Sequence, residues 1–343
     1  MMRGNSILNK AKHSGNTDEW YTDYQTVENE VSRYKDQFEG KIVLCNSDDP
    51  FESSFSKYFI NNFNDLKLKK LICTSYSFSR IYEMVNCENE LGIEQGYGMI
   101  VENIPKQLSQ KDNENYLVDY IKKNEKLFKL KGNGDFRSEE CINYLKESDI
   151  IVTNPPFSKF SEMFSLLVEH KKKYLIIGNQ NALLYKEIFP YIKNNLAWVG
   201  YHFGDMAFKV PSDTLPRKTR FWEDEDGQKW RSLGNAMWLT NLQVNKENMK
   251  LVLKHRYLPE LYPKYDNFDG IHVSRVADIP FDYEGIMGVP LTYIKYHNED
   301  DFEIVGEANH GSDNEYDLFK PIVNGKEVFK RILIRKKKRK INV

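Results

Sequence analysis

Asp149-Ile150-Ile151-Val152-Thr153-Asn154-Pro155-Pro156-Phe157 is the stretch whose reading decides the fold. Its first five residues are apolar and β-branched after the leading aspartate, with no polar alternation, the pattern of a strand buried in a parallel sheet. Two prolines cannot continue a ladder, so the strand ends at Thr153. From Ser158 onward, Phe160, Met163, Phe164 and Leu167 recur at helical spacing. A strand, a stiff turn and a helix in that order place Asn154 at the carboxyl edge of an α/β sheet, where ligands bind in such folds.

The turn offers a specific chemistry. The amide oxygen of Asn154 and the backbone carbonyl of Pro155 can both accept from one NH2 group, while the prolines remove competing N–H donors. Phe157 offers an apolar face on which a planar base can stack. Two acceptors aimed at an exocyclic amine turn its lone pair outward, towards an electrophile, which is a design for methylating an amino nitrogen. A plain Pro-Pro turn ending a strand is the other reading, and the strand–turn–helix setting favours the chemical one. The tetrapeptide resembles the catalytic motif of amino-methyltransferases that use S-adenosyl-L-methionine (AdoMet).

Working outward, the chain has 343 residues, 40% apolar and 13% aromatic, enough for one large or two ordinary domains with a proper core. No stretch approaches a membrane span and the polar N-terminus lacks a signal peptide's apolar core, so a cytoplasmic protein is expected. Cys45, Cys73, Cys87 and Cys141 form no Cys-x-x-Cys pair or finger spacing, and no His-Glu-x-x-His occurs, so no metal site is expected. The net charge of −1 leaves any nucleic-acid contact to local basic surface. Candidates are Lys171-Lys172-Lys173, the Arg217-Lys218-Thr219-Arg220 loop and the tail from Arg335 to Lys340. Charge runs of this kind are more often plain solvated surface.

Seven sheet strands are predicted, at Lys41–Asn46, Lys70–Ser75, up to Gly134-Asp135-Phe136, at Asp149–Thr153, Tyr174–Gly178, Leu196–His202 and Ala236–Asn241, with a further short strand between turns at Gly96-Tyr97-Gly98 and Asn103-Ile104-Pro105. Helices are predicted to about Asp36, from Pro50 to about Phe63, near Tyr116–Leu127, from Ser138 through Glu147, from Ser158 to about Lys172 and near Ala182–Asn194. The alternation implies a doubly wound, mostly parallel, seven-stranded sheet. Residues 1–18 read as a flexible arm, 19–245 as a catalytic domain and 246–343 as an appended region with a basic tail. Residues 204–235 read as a long loop inside a β-hairpin, carrying Arg217, Lys218, Arg220, Trp222, Trp230 and Arg231. Loops that long are usually functional or disordered. Glu223-Asp224-Glu225-Asp226 interrupts its basic character.

In this order the chain resembles the EcoRI-type adenine-specific DNA modification methyltransferases, over roughly Glu19 to Glu307. The resemblance rests on Glu19-Trp20-Tyr21-Thr22, Leu44 to Phe51, Gly134-Asp135-Phe136, Asn154-Pro155-Pro156-Phe157, Ile176 to Ala182, Gly204 to Phe208, Gly227 to Asn235 and Tyr262 to Asp266. It implies a Rossmann-like AdoMet-dependent methyltransferase fold with γ-like motif order and a target-recognition region after the catalytic core. It further implies that Asn154, Pro155, Pro156 and Phe157 are catalytic, and that Tyr21 and Thr22 touch the methionine end of AdoMet. Asn46 and Asp48 would meet the cofactor after the first strand, and Asp135 and Phe136 its adenine. Their bland readings are a helix cap for Asp48, a turn aspartate for Asp135 and core packing for Tyr21. The first strand lacks the glycine-rich loop of most AdoMet enzymes, and the second lacks an acidic residue in the usual ribose-binding place.

The implied partner is double-stranded DNA, and a restriction endonuclease acting on the same site is a candidate partner. Arg217, Lys218, Arg220, Trp222 and Arg231 are the candidate DNA contacts. The implied target base flips out onto Phe157. Tyr201, Phe203 and Phe208 are candidates to close its other face. A glutamine methyltransferase acting on protein, and a catalytically silent DNA-binding protein of the same fold, are the alternatives.

Overall fold

The structure, a computed structural model, describes residues 21–46, 50, 53–76, 96–105, 127–210, 212, 214–245, 251–309 and 320–337. The expected arm at 1–18, Asp48, most of the helix expected near Tyr116–Leu127, and the tail beyond Lys337 lie outside the described residues. The chain divides into two compact units. One runs up to Asn179 and includes Gly200–Gln243; the other holds Gln180–Val199 and the chain from Val244 on. Residues 180–199 thus group with the C-terminal unit, whereas the sequence pattern places them in the catalytic domain.

The first unit is built on parallel strands. β2 (Ile42–Asn46), β3 (Lys70–Thr74), β6 (Ile150–Thr153) and β7 (Lys173–Asn179) pair in parallel in the order β3-β2-β6-β7. β2 and β6 are buried at every position, as their unbroken apolar runs require. The helices expected to flank them form. α1 (Tyr24–Val31) is capped by Asp23, α2 (Ser54–Asn61) by Ser53, and α3 (Glu139–Glu147) by Ser138 with Glu139 and Glu140 in its first turn. α4 (Phe160–Glu169) buries Phe160, Met163, Phe164 and Leu167, the four residues whose spacing announced it.

Elsewhere the structure corrects the sequence reading. α2 starts after Ser53, whose hydroxyl accepts from the Phe55 N–H, and not at Pro50. The strand expected to end at Phe136 is β5 (Leu127–Lys129); Gly134-Asp135-Phe136 is a turn. The helix expected near Ala182–Asn194 is a short 3-10 turn at Gln180–Leu184 followed by α5 (Phe189–Lys193).

The largest difference is in the sheet. It has ten strands among the described residues, in the order β1-β8-β10-β7-β6-β2-β3-β4-β5, with β9 beside β10. β1 is Tyr21–Thr22 and β4 is Tyr97–Val101. Parallel pairing is confined to the four central strands; β4 and β5 flank one side antiparallel, and β10 meets β7 antiparallel. The loop expected at 204–235 is mostly strand. β8 spans Trp198–Lys209, β10 spans Lys229–Thr240, and β9 (Phe221–Glu223) forms a hairpin with β10. Their outer halves are only partly buried and mix polar, glycine and aromatic residues, so no apolar run betrays them.

The C-terminal unit carries a second sheet of β11 (Lys264–Tyr265), β12 (Phe268–His272), β13 (Met287–Pro290), β17 (Arg331–Lys336) and β14 (Phe302–Ala308). Ile271, Val289, Ile332, Leu333 and Ile334 form its dry interior. Only β12 and β13 run parallel. A two-stranded hairpin, β15 (Ile322–Val323) with β16 (Lys326–Glu327), forms a separate small sheet held to the turn after β11 by Asp266 and Asn267.

One buried charge in the first unit bears on stability. Glu30 on α1 is 1% exposed. Its carboxylate accepts from the Tyr34 hydroxyl and from the backbone N–H groups of Tyr201 and His202, each at 2.8 Å. Burial outweighs these donors and nearby Arg33, and pushes the carboxyl up to about 7. With the folded pKa above the unfolded one, this group's contribution to stability is full below about pH 4.5 and is lost as pH rises through about 7. Chemical denaturation at pH 5 and pH 8 should therefore show the wild type losing roughly 2–3 kcal/mol relative to Glu30→Gln. Parallel pH profiles for the two proteins would refute it.

Candidate active site

Parallel pairing puts the last residues of β2, β3 and β6 on one edge. Asn46 lies opposite Thr74, and the Thr153 hydroxyl donates to the Asn46 carbonyl. β6 stops at Thr153, and Asn154-Pro155-Pro156 follows without regular structure before a 3-10 turn at Phe157–Lys159 leads into α4. Pro156 is extended at φ −51° and ψ 126°, as a proline-stiffened turn demands.

Asn154 is half-buried, and its Oδ1 is shielded from solvent. Its Nδ2 donates to the Thr22 hydroxyl at 3.3 Å. That bond fixes which way the amide lies, and so where its oxygen points. Thr22 is held in turn by β1, which pairs antiparallel with the end of β8 in the register Thr22↔Phe208. Phe208 is fully buried and meets Phe157 edge-on, with centroids 6.2 Å apart and planes at 88°. Thr22, Asn154, Phe157 and Phe208 therefore converge, although 132 residues separate Thr22 from Asn154. Of the three aromatics named for the second face, Phe208 alone is shown against Phe157. Tyr201 is turned to Tyr34 and Arg33 instead.

The turn at Asp135-Phe136 sits beside the end of β3. Gly134 has φ +78°, and a Cβ there would lie 1.9 Å from the Ser75 carbonyl, so only glycine fits. Phe136 is buried, with the Arg137 guanidinium 5.6 Å from its ring centroid. Arg137 also donates to both carboxylate oxygens of Asp135, at 2.9 and 2.6 Å, and to Glu162 on α4 at 2.7 Å. Arg137 holds the Asp135 carboxyl below its usual range. It is a candidate site residue the sequence reading missed; its place beside Asp135-Phe136 was the available signal.

Two buried polar atoms complete this edge. Asn46 Oδ1 and Thr74 Oγ1 are shielded from solvent and have no hydrogen-bond partner among the described residues. Buried polar groups are ordinarily satisfied, so this pair on adjacent strand ends is a candidate position for a polar ligand. Thr74 was not among the expected site residues because the pattern sought there was acidic.

The candidate DNA contacts lie elsewhere on the same unit. Ala236 of β10 pairs with Asn179, the last residue of β7, so β10 from Asn235 back to Lys229 projects past the carboxyl edge. Trp222 and Trp230 face each other across the β9–β10 hairpin, rings parallel within 3° at 6.1 Å, and Trp222 is exposed. Lys209 lies over the Trp230 ring. Arg217 and Lys218 are exposed. Arg220 is tied to Asp205 at 2.8 Å, and Arg231 is half-buried on β10. Burial, with Arg217 adding its like charge, pushes Arg231 down to about 10, still cationic at neutral pH. Asp224 is used internally, accepting from the N–H groups of Asp226 and Gln228 and from the Trp230 indole.

An Asn-Pro-Pro-Phe turn at the carboxyl edge of a parallel α/β core, with a buried polar pair and an aspartate–phenylalanine turn beside it, defines a Rossmann-like methyltransferase. The chain belongs to the family described as adenine-specific methyltransferase EcoRI, whose model matches residues 7–338. It is 40% identical over 346 residues to the Type II methyltransferase M.EcoRI of Escherichia coli, covering 97% of both chains. It is 36% identical over 304 residues to M.MgeORF184P of Mycoplasma genitalium, covering 87% of this chain and 85% of that one. The same identity relates it to M.MpnI of Mycoplasma pneumoniae, with 87% and 84% covered. Among the described residues no cluster of metal ligands occurs, and no helix is long and apolar enough to cross a membrane.

Proposed function

We propose that this chain transfers a methyl group from AdoMet to N6 of an adenine flipped out of double-stranded DNA. The observation that carries this reading is the Asn154-Pro155-Pro156-Phe157 turn, with Thr22 setting the Asn154 amide and Phe208 backing Phe157. The residues beside it suit a nucleoside-bearing cofactor. Asn46 Oδ1 and Thr74 Oγ1 would meet its hydroxyls, Asp135 its adenine amine, and Phe136 the ring; Tyr21, beside Thr22, would lie towards the methionine end. Bound AdoMet would supply an electrophilic methyl. The protein's part is to place and polarise the amine. Asn154 Oδ1 and the Pro155 carbonyl accept its two hydrogens, turning the lone pair outward, and Phe157 holds the base plane. Extrusion of the base costs on the order of a few kcal/mol, offset by this pocket.

Incubating purified protein with AdoMet and mixed-sequence duplex DNA, then digesting to nucleosides for mass spectrometry, tests the reading. N6-methyladenine is the expected product. Methyl groups appearing on glutamine-bearing protein and absent from DNA, or in neither, would reject it.

The cofactor assignment has its own test. Asp135→Ala should weaken AdoMet binding by roughly 1.5–3 kcal/mol, about ten- to a hundredfold. Arg137→Ala should give a smaller loss in the same direction, because it removes the group that aims the carboxylate and keeps the carboxylate itself. Calorimetry showing wild-type affinity in both variants would remove this turn from the cofactor site.

A further inference from the structure

We infer that Glu30 is a positioning residue for the target-base pocket, setting the course of β8 and hence the places of Phe208 and Thr22. This rests on the target-base reading above. In a regular strand successive N–H groups point to opposite edges. Tyr201 and His202 break that rule by both donating to the one Glu30 carboxylate, each at 2.8 Å. Two adjacent donors on one side mark a local irregularity, such as re-aims the strand beyond it. The contact is closely fitted: a Cβ on neighbouring Gly200 would lie 2.1 Å from Glu30 Oε1, so no larger residue fits between helix and strand.

The irregularity stands upstream of the pocket on both of its arms. Six residues beyond His202, β8 delivers Phe208 against Phe157 and pairs it with Thr22. On the other arm, Thr22 is followed by Asp23, which caps α1, and α1 carries Glu30. β1, α1, Glu30 and β8 thus close a ring through one carboxylate, and the two residues that touch Asn154 and Phe157 sit where the ring closes. The Asp135-Phe136 turn lies outside it, packed on Ser75 through Gly134. Around Glu30 the facing ionisable groups are Tyr34 and Arg33 on its own side and Tyr201 and His202 on β8. None is a cation bonded to the carboxylate, whose ionisation burial opposes. An apolar residue would fill this space at less cost in stability, so what the carboxylate provides is the placement of two backbone donors.

The test uses the full-length protein with a duplex carrying 2-aminopurine at the methylated adenine. Glu30→Gln keeps the shape but offers one acceptor oxygen where two are needed. Gly200→Ala pushes the same junction apart from the strand side. Both are expected to lower kcat at saturating DNA and AdoMet about tenfold and to weaken the fluorescence rise that reports base extrusion, with AdoMet affinity unchanged. Because a Cβ at Gly200 would also lie 2.8 Å from the Trp238 Cβ, Glu30→Gln, which lacks that second contact, is the decisive variant. Wild-type kcat and fluorescence in both single variants would overturn the proposal. So would a fall in AdoMet affinity and melting temperature in step with kcat, because the contact would then merely hold the fold. If the wild type itself neither methylates adenine nor raises the 2-aminopurine signal, the functional reading fails, and the proposal with it.

Discussion

Asn154→Ala should abolish methyl transfer while leaving AdoMet binding nearly intact. The side chain removed is the one whose Nδ2 rests on Thr22 and whose oxygen is proposed to accept from the target amine. Removing one preorganised polar group from a comparable site costs roughly 10²–10³ in kcat, and here the group also orients the base, so the loss should reach at least the upper end. The AdoMet contacts, by contrast, are assigned to the ends of β2 and β3 and to the Asp135 turn. Cofactor affinity should therefore change little. Asn154→Asp is the sharper variant, since it keeps an acceptor while removing the donor to Thr22; a fraction of activity should survive. Single-turnover rates and calorimetry on the same preparations measure both quantities. Near-normal turnover in Asn154→Ala would take the residue out of the mechanism.

Thr22→Val tells whether the amide needs that anchor, and it also explains what could be read from the sequence. The strand–turn–helix at Asp149–Leu167 was legible because every signal in it is local: an unbroken apolar run, two prolines, and helical spacing. The same holds for Ser138 as a cap and for the β2 and β3 strands. What surrounds Asn154 with its proposed partners, however, is its meeting with Thr22 and Phe208, and such a meeting depends on β1 adding to the far edge of the sheet through β8. No local pattern records it. The family resemblance supplied Tyr21 and Thr22 as cofactor contacts; the pairing places Thr22 against Asn154 and Phe208. The outer halves of β8 and β10 failed for the opposite cause. Half-exposed strands carrying Gly204, Asp205, Arg231 and Gly234 lack the run of a buried strand, and the one alternation in them, Met206 and Phe208 buried between Asp205 and Lys209, is too short to stand out. Glu30 was invisible for a related reason: on an amphipathic helix a glutamate reads as solvent-facing, and only the two β8 donors explain its burial.

The same hairpin leads to the other large expected effect. Beyond Ala236, the six residues back to Trp230 carry β10 roughly 20 Å past the edge on which Asn154 sits. A rod of that length, bearing stacked Trp222 and Trp230 and flanked by Lys209, Arg217 and Arg231, has the mixture of cations and flat faces that suits nucleic acid. The arginines differ in what they have to give. Arg220 is spent on Asp205, an exposed ion pair of small worth. Arg217 and Arg231 are near enough for their like charges to be felt, and a phosphate between them would relieve that repulsion. Arg217→Ala with Arg231→Ala should thus weaken DNA binding strongly and lower the log–log salt slope by roughly 0.9 for each phosphate no longer held. Arg220→Ala should do less, and AdoMet affinity should hold in all three variants. In the acidic turn Asp224 is used internally, by the N–H groups of Asp226 and Gln228 and by the Trp230 indole, while Glu223, Glu225 and Asp226 are exposed and must face away from phosphate for the hairpin to hold DNA. DNA titrations across a salt series decide the matter: a slope unchanged in the double variant would mean that the hairpin does not hold the backbone, and the DNA-binding surface would then be sought in the chain from Val244 on.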